Sequence, residues 1–255
     1  MRLTSSSISK SLNFSIVFAL ILSTISCGKL FQLADASEHR YEITELIPPD
    51  SSINALILPY KMQLDSLMDV VIGNSDKAIT KGKPESTLGN WMTDIMFEEA
   101  TKRSSKSVDF AIQNYGGIRV PSLDAGPITV REIYEIMPFD NELVIIEAKG
   151  LVINRLFERI AKSGGWPISD QVRLMIKDDK IESLYINGQT VDPTKDYRFA
   201  LPDYIANGGD RSDYLINQNR ENLGVRIRDL LIEHLENEPD KVQSAELTDR
   251  IIIKP

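Results

Sequence analysis

Two glycine pairs, each placed after a short apolar strand pattern, constrain how this chain can fold. Gly116-Gly117 follows the strand pattern of residues 108–112, and Gly208-Gly209 follows that of residues 197–201. Open sheets in α/β proteins place ligand-binding loops at strand ends, and glycine lets backbone approach a ligand closely. Arg119 and Asp210 stand beside the two pairs. The sequence therefore predicts two loops with the residue types of a polar recognition site.

Helix and strand patterns are mixed along the chain without regular alternation. Apolar spacing and capping signals predict helices over residues 53–68, from 84–87 to about 100, and over 130–137, 150–161 and 225–235. Strands are predicted at 70–72, 108–112, 142–148, 197–201 and 251–253, with short strands and a hairpin at Asn187-Gly188 within 172–195. This order favours a layered α/β or α+β domain with a mixed sheet.

The N-terminus has the pattern of an export signal. A serine-rich start with basic residues leads into an apolar run over residues 12–25, which is shorter than the about 20 residues of a membrane span. The run ends at Cys27, the single cysteine, in a pattern that resembles a bacterial lipobox. The alternative is an ordinary secretory signal with an incidental cysteine. We expect a lipoprotein signal peptide at 1–27, a tether at 28–52, a domain at 53–255, and a membrane-anchored location in the cell envelope.

Net charge restricts the class of ligand. The 255 residues carry a net charge of −8, which excludes a nucleic-acid polymer as the main partner, because phosphate backbones require a basic face. A small anion needs only one or two cations, and the Arg119 guanidinium could take a phosphate or carboxylate with two hydrogen bonds. Asp210 could accept two hydrogen bonds from a vicinal diol such as a ribose. Taken singly, a glycine pair is more typical of a tight turn and Arg119 of a structural ion pair.

Four motifs taken together identify a family. In chain order they are Glu85-Ser86-Thr87-Leu88-Gly89-Asn90 followed by Asp94, then Asn114 to Arg119, then Pro138-Phe139-Asp140-Asn141, then Ala206-Asn207-Gly208-Gly209-Asp210. This series resembles the C-terminal domain of the 5′-nucleotidase family, over residues 53–253. The resemblance implies a layered α/β/β/α domain with mixed sheets that grips the nucleoside part of a substrate.

The resemblance also assigns binding roles by position. Phe139 and Tyr204 would be the two aromatic faces that hold the base, and Asp210 would hold the ribose hydroxyls. Asn114 would contact the base or the sugar, and Arg119 the anionic end of the substrate. The remaining residues predicted to bind substrate are Gly116, Gly117, Asn141, Asn207, Gly208 and Gly209.

The sequence departs from the family pattern near the expected anion site. Lys81 and Lys83 stand where family members carry further arginines, so compact ammonium groups replace planar guanidinium groups. Arg211 and Asp170 occupy positions where glycine is usual. These departures leave the details of anion binding open.

The residues of the family's catalytic site are missing from the sequence. In the family, phosphomonoester hydrolysis belongs to an N-terminal metallophosphoesterase domain whose two metal ions need several histidines and aspartates. This chain has two histidines, His39 in the tether and His234 in a helix, and no Asp-x-His segment. We therefore expect no catalytic residue, no metal ligand and no cofactor in this chain, and two divalent metal ions in a partner chain.

Three hypotheses fit a binding site without catalytic residues. The first is a split 5′-nucleotidase, in which this chain recognises a nucleoside 5′-phosphate and a separate metallophosphoesterase chain hydrolyses it. The second is a stand-alone envelope lipoprotein that captures nucleosides or nucleotides. The third is a domain that keeps the fold only for interaction with other proteins.

Overall fold

The computed structural model describes residue 48 and residues 50–255. The predicted signal peptide with Cys27, the tether up to its last residues, and His39 lie outside the described residues. The chain divides at Ser51, and the compact unit from Ser52 to Pro255 holds almost all that is described. In this part of the chain no helix has both the length and the apolarity needed to cross a bilayer.

The described residues form the predicted mixture of helices and strands. The α-helices are Ser51–Met68 (α1), Thr87–Arg103 (α2), Val130–Ile136 (α3), Gly150–Lys162 (α4), Asp203–Ala206 (α5) and Ile227–Asn237 (α6). The first strands are Val71–Ser75 (β1), Ile79–Thr80 (β2), Phe110–Ala111 (β3), Ser122–Leu123 (β4), Gly126–Thr129 (β5), Glu142–Lys149 (β6) and Val172–Lys177 (β7). They are followed by Lys180–Ile186 (β8), Gln189–Thr190 (β9), Asp196–Pro202 (β10), Asn219–Arg226 (β11), Val242–Gln243 (β12) and Ile251–Lys254 (β13). Short 3₁₀ turns cover Tyr115–Gly117, Gly209–Arg211 and Asp213–Leu215.

Local sequence signals explain several element ends. The Thr129 hydroxyl accepts from the backbone N–H of Glu132, and the Glu132 carboxylate accepts from the backbone N–H of Thr129, which is the predicted capping box of α3. The predicted hairpin is confirmed between β8 and β9, where Asn187 and Gly188 have φ of 52° and 75°. The start predicted for the last helix was wrong, because Val225 belongs to β11 and α6 begins at Ile227.

Each of the three larger sheets mixes parallel and antiparallel strands, as predicted. Their orders are β12-β1-β5, β11-β6-β10-β3 and β13-β7-β8-β9, and a small sheet pairs β2 with β4. In the central sheet β10 is parallel to β3 and antiparallel to β6. The carboxyl ends of β3 and β10 and the amino end of β6 therefore lie at one edge of this sheet.

Strand β6, inside the central sheet, is buried on both faces. Alternate residues of β6 divide between two apolar clusters: Val144 and Ile146 join one, and Leu143 and Ile145 the other. The first cluster includes α4 and the inner faces of β7 and β8, and the second includes α2, α6, β1 and β5. Because β6 is packed on both faces, the position of the sheet edge at which the loops after β3 and β10 emerge is also fixed.

Helix α1 contributes no buried side chain to either cluster. Leu56 and Tyr60, on its predicted apolar face, are 70% and 72% exposed. Near its end, Arg131 of α3 donates hydrogen bonds of 2.7 Å to Asp65 and 2.8 Å to Asp69. The helix was predicted correctly, but the domain does not cover its apolar face.

Candidate functional site

A cavity of about 420 Å³ opens at the loop edge of the central sheet. The loop after β3 and the helix after β10 meet there because these two strands are parallel neighbours. The loop before β6 joins them because Leu143 of β6 pairs with Pro202 of β10. The cavity is lined by eight residues predicted to bind substrate: Asn114, Gly116, Gly117, Arg119, Phe139, Asn141, Tyr204 and Asp210.

Asp210 connects the two glycine loops. Its Oδ2 accepts a hydrogen bond of 2.8 Å from Nδ2 of Asn114, and the hydroxyl of Tyr204 lies 3.5 Å from its Oδ1. The backbone of Asp210 is left-handed, with φ of 51°, a conformation that aspartate adopts more readily than most residues. The carboxylate is thereby held in the cavity and keeps further acceptor capacity for a ligand.

The buried Oδ1 of Asn114 is a second acceptor at this place. It receives no hydrogen bond from the described residues, although most buried polar atoms in proteins are paired. Since Nδ2 of the same amide is bound to Asp210, the amide orientation leaves Oδ1 for a donor such as a hydroxyl or an amino group.

Two of the glycines are required by close packing of side chains. A Cβ on Gly117 would lie 2.5 Å from Nε2 of Gln113 and 2.7 Å from Oδ1 of Asn114. A Cβ on Gly209 would lie 2.5 Å from the ring of Tyr204. The N–H of Gly117 donates to the Asn114 carbonyl, so this donor is already used within the turn.

Three predicted site residues lie outside the cavity lining. The side chain of Asn207 accepts a hydrogen bond of 2.8 Å from Arg220 instead. Gly208 has φ of 95° and lies against Asp213, and Gly209 packs against Tyr204. These three residues shape the turn that carries Asp210, and their contact with a substrate stays a prediction.

Two aromatic rings in the lining are partly exposed. Phe139 is 38% and Tyr204 45% exposed, well above the buried aromatics of the core. The Arg119 guanidinium lies 5.5 Å from the centroid of the Phe139 ring, a cation–π distance. Asn141 is held by its carbonyl, which accepts from the first N–H of α6 at Ile227.

A group of cations borders the same turn. Lys81 donates 2.7 Å to the carbonyl of Ile118, and Nη1 of Arg119 lies 3.5 Å from the carbonyl of Gly116. Lys81 and Lys83 lie over the Tyr115 ring at 4.0 and 4.7 Å. Burial, then the charges of Arg119 and Lys83, lower the pKa of Lys81 below its ordinary value. Within the described chain none of these three cations forms an ion pair with a carboxylate.

Sequence reasoning did not identify the contribution of Gln113 or Arg159 to this region. Gln113 is fully buried beneath Gly117, and its position at the end of a strand pattern gave no signal of a role. Arg159 of α4 donates 2.9 Å to the carbonyl of Asp210. It belongs to the polar face of an amphipathic helix, where an arginine is ordinary.

Away from the cavity, Glu98, Glu99 and His234 are close enough to share a metal ion. Their carboxylates are already paired: Lys102 bonds both glutamates, and Arg103 and His234 bond Glu99. Burial opposes these contacts, but the bonds from Lys102 and His234 hold the pKa of Glu99 below its ordinary value. The three residues therefore belong to an ion network in the described part of the chain.

The family is decided by sequence comparison. The sequence model of the family "5′-nucleotidase, C-terminal domain" matches residues 71–216, more than half of the chain. The chain belongs to this family. The matched segment of this 5′-nucleotidase C-terminal domain runs from β1 to the turn after Asp210, so it contains all eight lining residues.

Comparisons with individual proteins agree with this family assignment. "Protein UshA" of Yersinia enterocolitica is 29% identical over 198 residues, which are 73% of this chain and 34% of that protein. A "5′-nucleotidase" of Vibrio parahaemolyticus is 24% identical over 185 residues, 69% of this chain and 32% of that protein. The 5′-nucleotidase precursor of Thermus thermophilus has a TM-score of 0.71 and 27% identity, over 82% of this chain and 44% of that one. This nucleotidase C-terminal domain thus spans about a third of the length of these curated relatives.

Proposed function

We propose that this chain is the substrate-recognition part of a split 5′-nucleotidase. It binds a nucleoside 5′-phosphate in the cavity, and a separately encoded metallophosphoesterase chain hydrolyses the phosphomonoester with two divalent metal ions. The observation that carries the proposal is the composition of one cavity. It combines exposed aromatic rings, a carboxylate beside a buried acceptor, and a border of cations, and within residues 50–255 neither that acceptor nor those cations have a partner of opposite character in a side chain.

The aromatic rings support recognition of the base. Phe139 and Tyr204 expose ring surface in a cavity whose volume is within the range of small-ligand sites. Stacking of a base on an aromatic side chain contributes about 1–3 kcal/mol and tolerates different bases. We infer that the rings supply affinity without a narrow base preference.

The acceptor pair supports recognition of the ribose. A vicinal diol presents two O–H donors. Asp210 keeps acceptor capacity beyond its bond from Asn114, and Oδ1 of Asn114 accepts no hydrogen bond from the described residues. Hydrogen bonds to an ionised group contribute more than neutral ones, about 1.5–3 kcal/mol. A nucleotide lacking these hydroxyls leaves the buried acceptors unpaired.

The cations support a phosphorylated ligand over a free nucleoside. Lys81, Lys83 and Arg119 lie around one turn, and the pKa of Lys81 is lowered first by burial and then by the charges of Arg119 and Lys83. A phosphate dianion would relieve the repulsion between these charges. Lysines can bind phosphate as point charges, so the replacement of the family arginines changes the geometry of binding and not its sign.

A partner supplies catalysis in this proposal. The described residues around the cavity include no histidine, and the sequence contains only two. A two-metal hydrolytic site requires more nitrogen and carboxylate ligands than the cavity offers. The relatives named 5′-nucleotidase are about three times as long as the region they share with this chain.

The export signal predicted at residues 1–27 supports a location of both chains in the cell envelope. Acylation of Cys27 would anchor this chain, with residues 28–52 as the tether. Radiolabelled palmitate incorporation that is lost in Cys27→Ser tests the anchor. Incorporation that persists in the variant contradicts it.

Calorimetry and a hydrolysis assay test the function together. We expect the purified chain to bind adenosine 5′-monophosphate more tightly than adenosine, and to release no phosphate alone. Addition of a metallophosphoesterase captured with the chain from its native envelope should give hydrolysis that neither chain shows alone. The double variant Tyr204→Ala, Asp210→Asn should lose that gain, while the distant Asp179→Asn should keep it.

The other outcomes separate the hypotheses. Binding without any gain on mixing favours the stand-alone nucleotide-capture lipoprotein. Absence of binding by the chain, alone and with the captured partner, rejects both proposals and leaves a domain that uses its fold for interaction.

A further inference from the structure

Arg159, in the last turn of α4, reaches the backbone of Asp210. Its Nε donates a hydrogen bond of 2.9 Å to the carbonyl oxygen of Asp210. Its guanidinium lies 5.8 Å from the ring centroid of the buried Trp166. A side chain supported on a packed helix and an aromatic ring thus connects the core to the turn that carries the carboxylate.

That turn has an uncommon backbone conformation. Asp210 and Arg211 are consecutive non-glycine residues with φ of 51° and 66°. Residues in this region cost conformational free energy and persist where surrounding groups determine them. From other elements, Arg159 bonds the carbonyl of Asp210 and Asn114 bonds its carboxylate.

The guanidinium of Arg159 contacts an aromatic ring and a backbone carbonyl. Within the described residues this arginine forms no ion pair with a carboxylate. Arg155, one turn earlier on the same helix, lies 4.4 Å from the ring centroid of Tyr214 instead. Both arginines belong to α4 and each contacts an aromatic ring. The hydrogen bond to the Asp210 carbonyl distinguishes Arg159 from Arg155.

We propose that Arg159 is a positioning residue for ribose recognition. By fixing the left-handed conformation of Asp210, it directs the carboxylate toward the ribose hydroxyls and sets the preference for ribonucleotides. Arg159 itself does not contact the ligand. This inference rests on the proposed function, because it assumes that the cavity binds a nucleotide.

A matched pair of substitutions isolates the hydrogen bond. In Arg159→Met the terminal methyl group takes the place of Nε, so the stem is kept and the donor is lost. In Arg159→Gln the amide nitrogen stands at the same position along the side chain and can donate to the carbonyl. Arg155→Met is the control for loss of an arginine from α4.

The readout is a ratio of two dissociation constants. Calorimetry on the mature full chain gives the constants for adenosine 5′-monophosphate and its 2′,3′-dideoxy analogue. We expect the wild type to prefer the ribonucleotide by about tenfold or more, as for hydrogen bonds to a charged group. The ratio should fall toward one in Arg159→Met and persist in Arg159→Gln and Arg155→Met. A general loss of folded protein would weaken both ligands equally and leave the ratio unchanged.

The outcomes against the inference are distinct from those against the function. A wild-type chain that binds neither ligand rejects the proposed function and this inference with it. A wild type that binds both equally rejects the ribose role of Asp210. An Arg159→Met protein that keeps the wild-type ratio rejects the positioning role alone, and so does a glutamine variant that loses as much as the methionine variant.

Discussion

Gly209 lies against Tyr204, and its lack of a side chain leaves room for the Tyr204 ring beside the turn of Asp210. Removing the ring should weaken binding of adenosine 5′-monophosphate. Tyr204→Ala is expected to cost about 1–3 kcal/mol, the value of one stacked base. Tyr204→Phe should stay near wild type, because the hydroxyl is 3.5 Å from Asp210 and contributes little. Calorimetry distinguishes the two, and an equal loss in both would remove the ring from base recognition.

Asp210→Asn should weaken ribonucleotides more than 2′-deoxyribonucleotides. The amide keeps the shape but replaces one acceptor oxygen with a donor, so a hydroxyl loses its partner. Asn tolerates the left-handed backbone, which makes Asp179→Asn in the β7–β8 turn a matched control, because Asp179 has φ of 57°. Competition binding with both sugars is the measurement. Equal losses for the two sugars would exclude a ribose role for Asp210.

The lowered pKa of Lys81 predicts an alkaline limit to nucleotide binding. Burial and the charges of Arg119 and Lys83 make this lysine lose its proton at a lower pH than the ordinary value of 10.5. Only the charged form attracts phosphate, so affinity for adenosine 5′-monophosphate should fall as pH rises toward that value. Lys81→Arg should remove the decline, because arginine stays charged there.

The control for this pH effect is the ligand without phosphate. Adenosine binding should show no decline that depends on Lys81. Calorimetry in two buffers of different ionisation enthalpy should also detect proton uptake on nucleotide binding at alkaline pH. Identical pH profiles for wild type and Lys81→Arg would show that Lys81 does not bind the phosphate.

Single residues also mark the limit of prediction for the site. Eight lining residues were predicted because their motifs combine glycine with polar or aromatic side chains in a specific order. Arg159 could not be predicted, since its role depends on where α4 ends relative to a turn 51 residues later. The hydrogen bond of Asn207 could not be predicted either, because sequence proximity to Asp210 does not reveal that its side chain turns to Arg220.

At the scale of elements, the capping box of α3 offers a direct test of local stability. Thr129→Ala removes the hydroxyl that accepts from Glu132, and should lower the free energy of unfolding by about 1 kcal/mol. Thr129→Ser keeps the cap and should cost less. Urea denaturation measures both. A change below a few tenths of a kcal/mol in the alanine variant would mean that the cap contributes little.

Two elements show what periodicity does and does not report. Helix α1 was predicted from its apolar spacing, but spacing cannot say which surface covers an apolar face, and this domain covers none of it. Strand β11 was missed because it is polar and has no buried residue. Strand β11 is extended because it pairs with β6, and this pairing depends on the tertiary structure and not on the local sequence.

At the scale of the whole molecule, α1 should be dispensable for the stability of the domain. Its described links to the rest include one ion pair, between Asp65 and Arg131, and no buried side chain. A chain of residues 69–255 should therefore unfold within about 1 kcal/mol of a chain of residues 48–255, the size of surface ion pairs. Urea denaturation of the two chains tests this. A loss of several kcal/mol would show that α1 protects the core.

Residues beyond the family-matched segment complete the fold. Ser75 of β1 and Gln243 of β12 are paired across 168 positions, and Nε1 of Trp91 donates 3.0 Å to the side chain of Gln243. Arg250, which is buried, makes two 2.7 Å bonds to Asp94 of α2. Contacts this distant in sequence form slowly, because the loop between them must close first. During translation, β1 can pair with β5 once residues 126–129 have been synthesised, whereas its other edge stays unpaired until residues 242–243 follow.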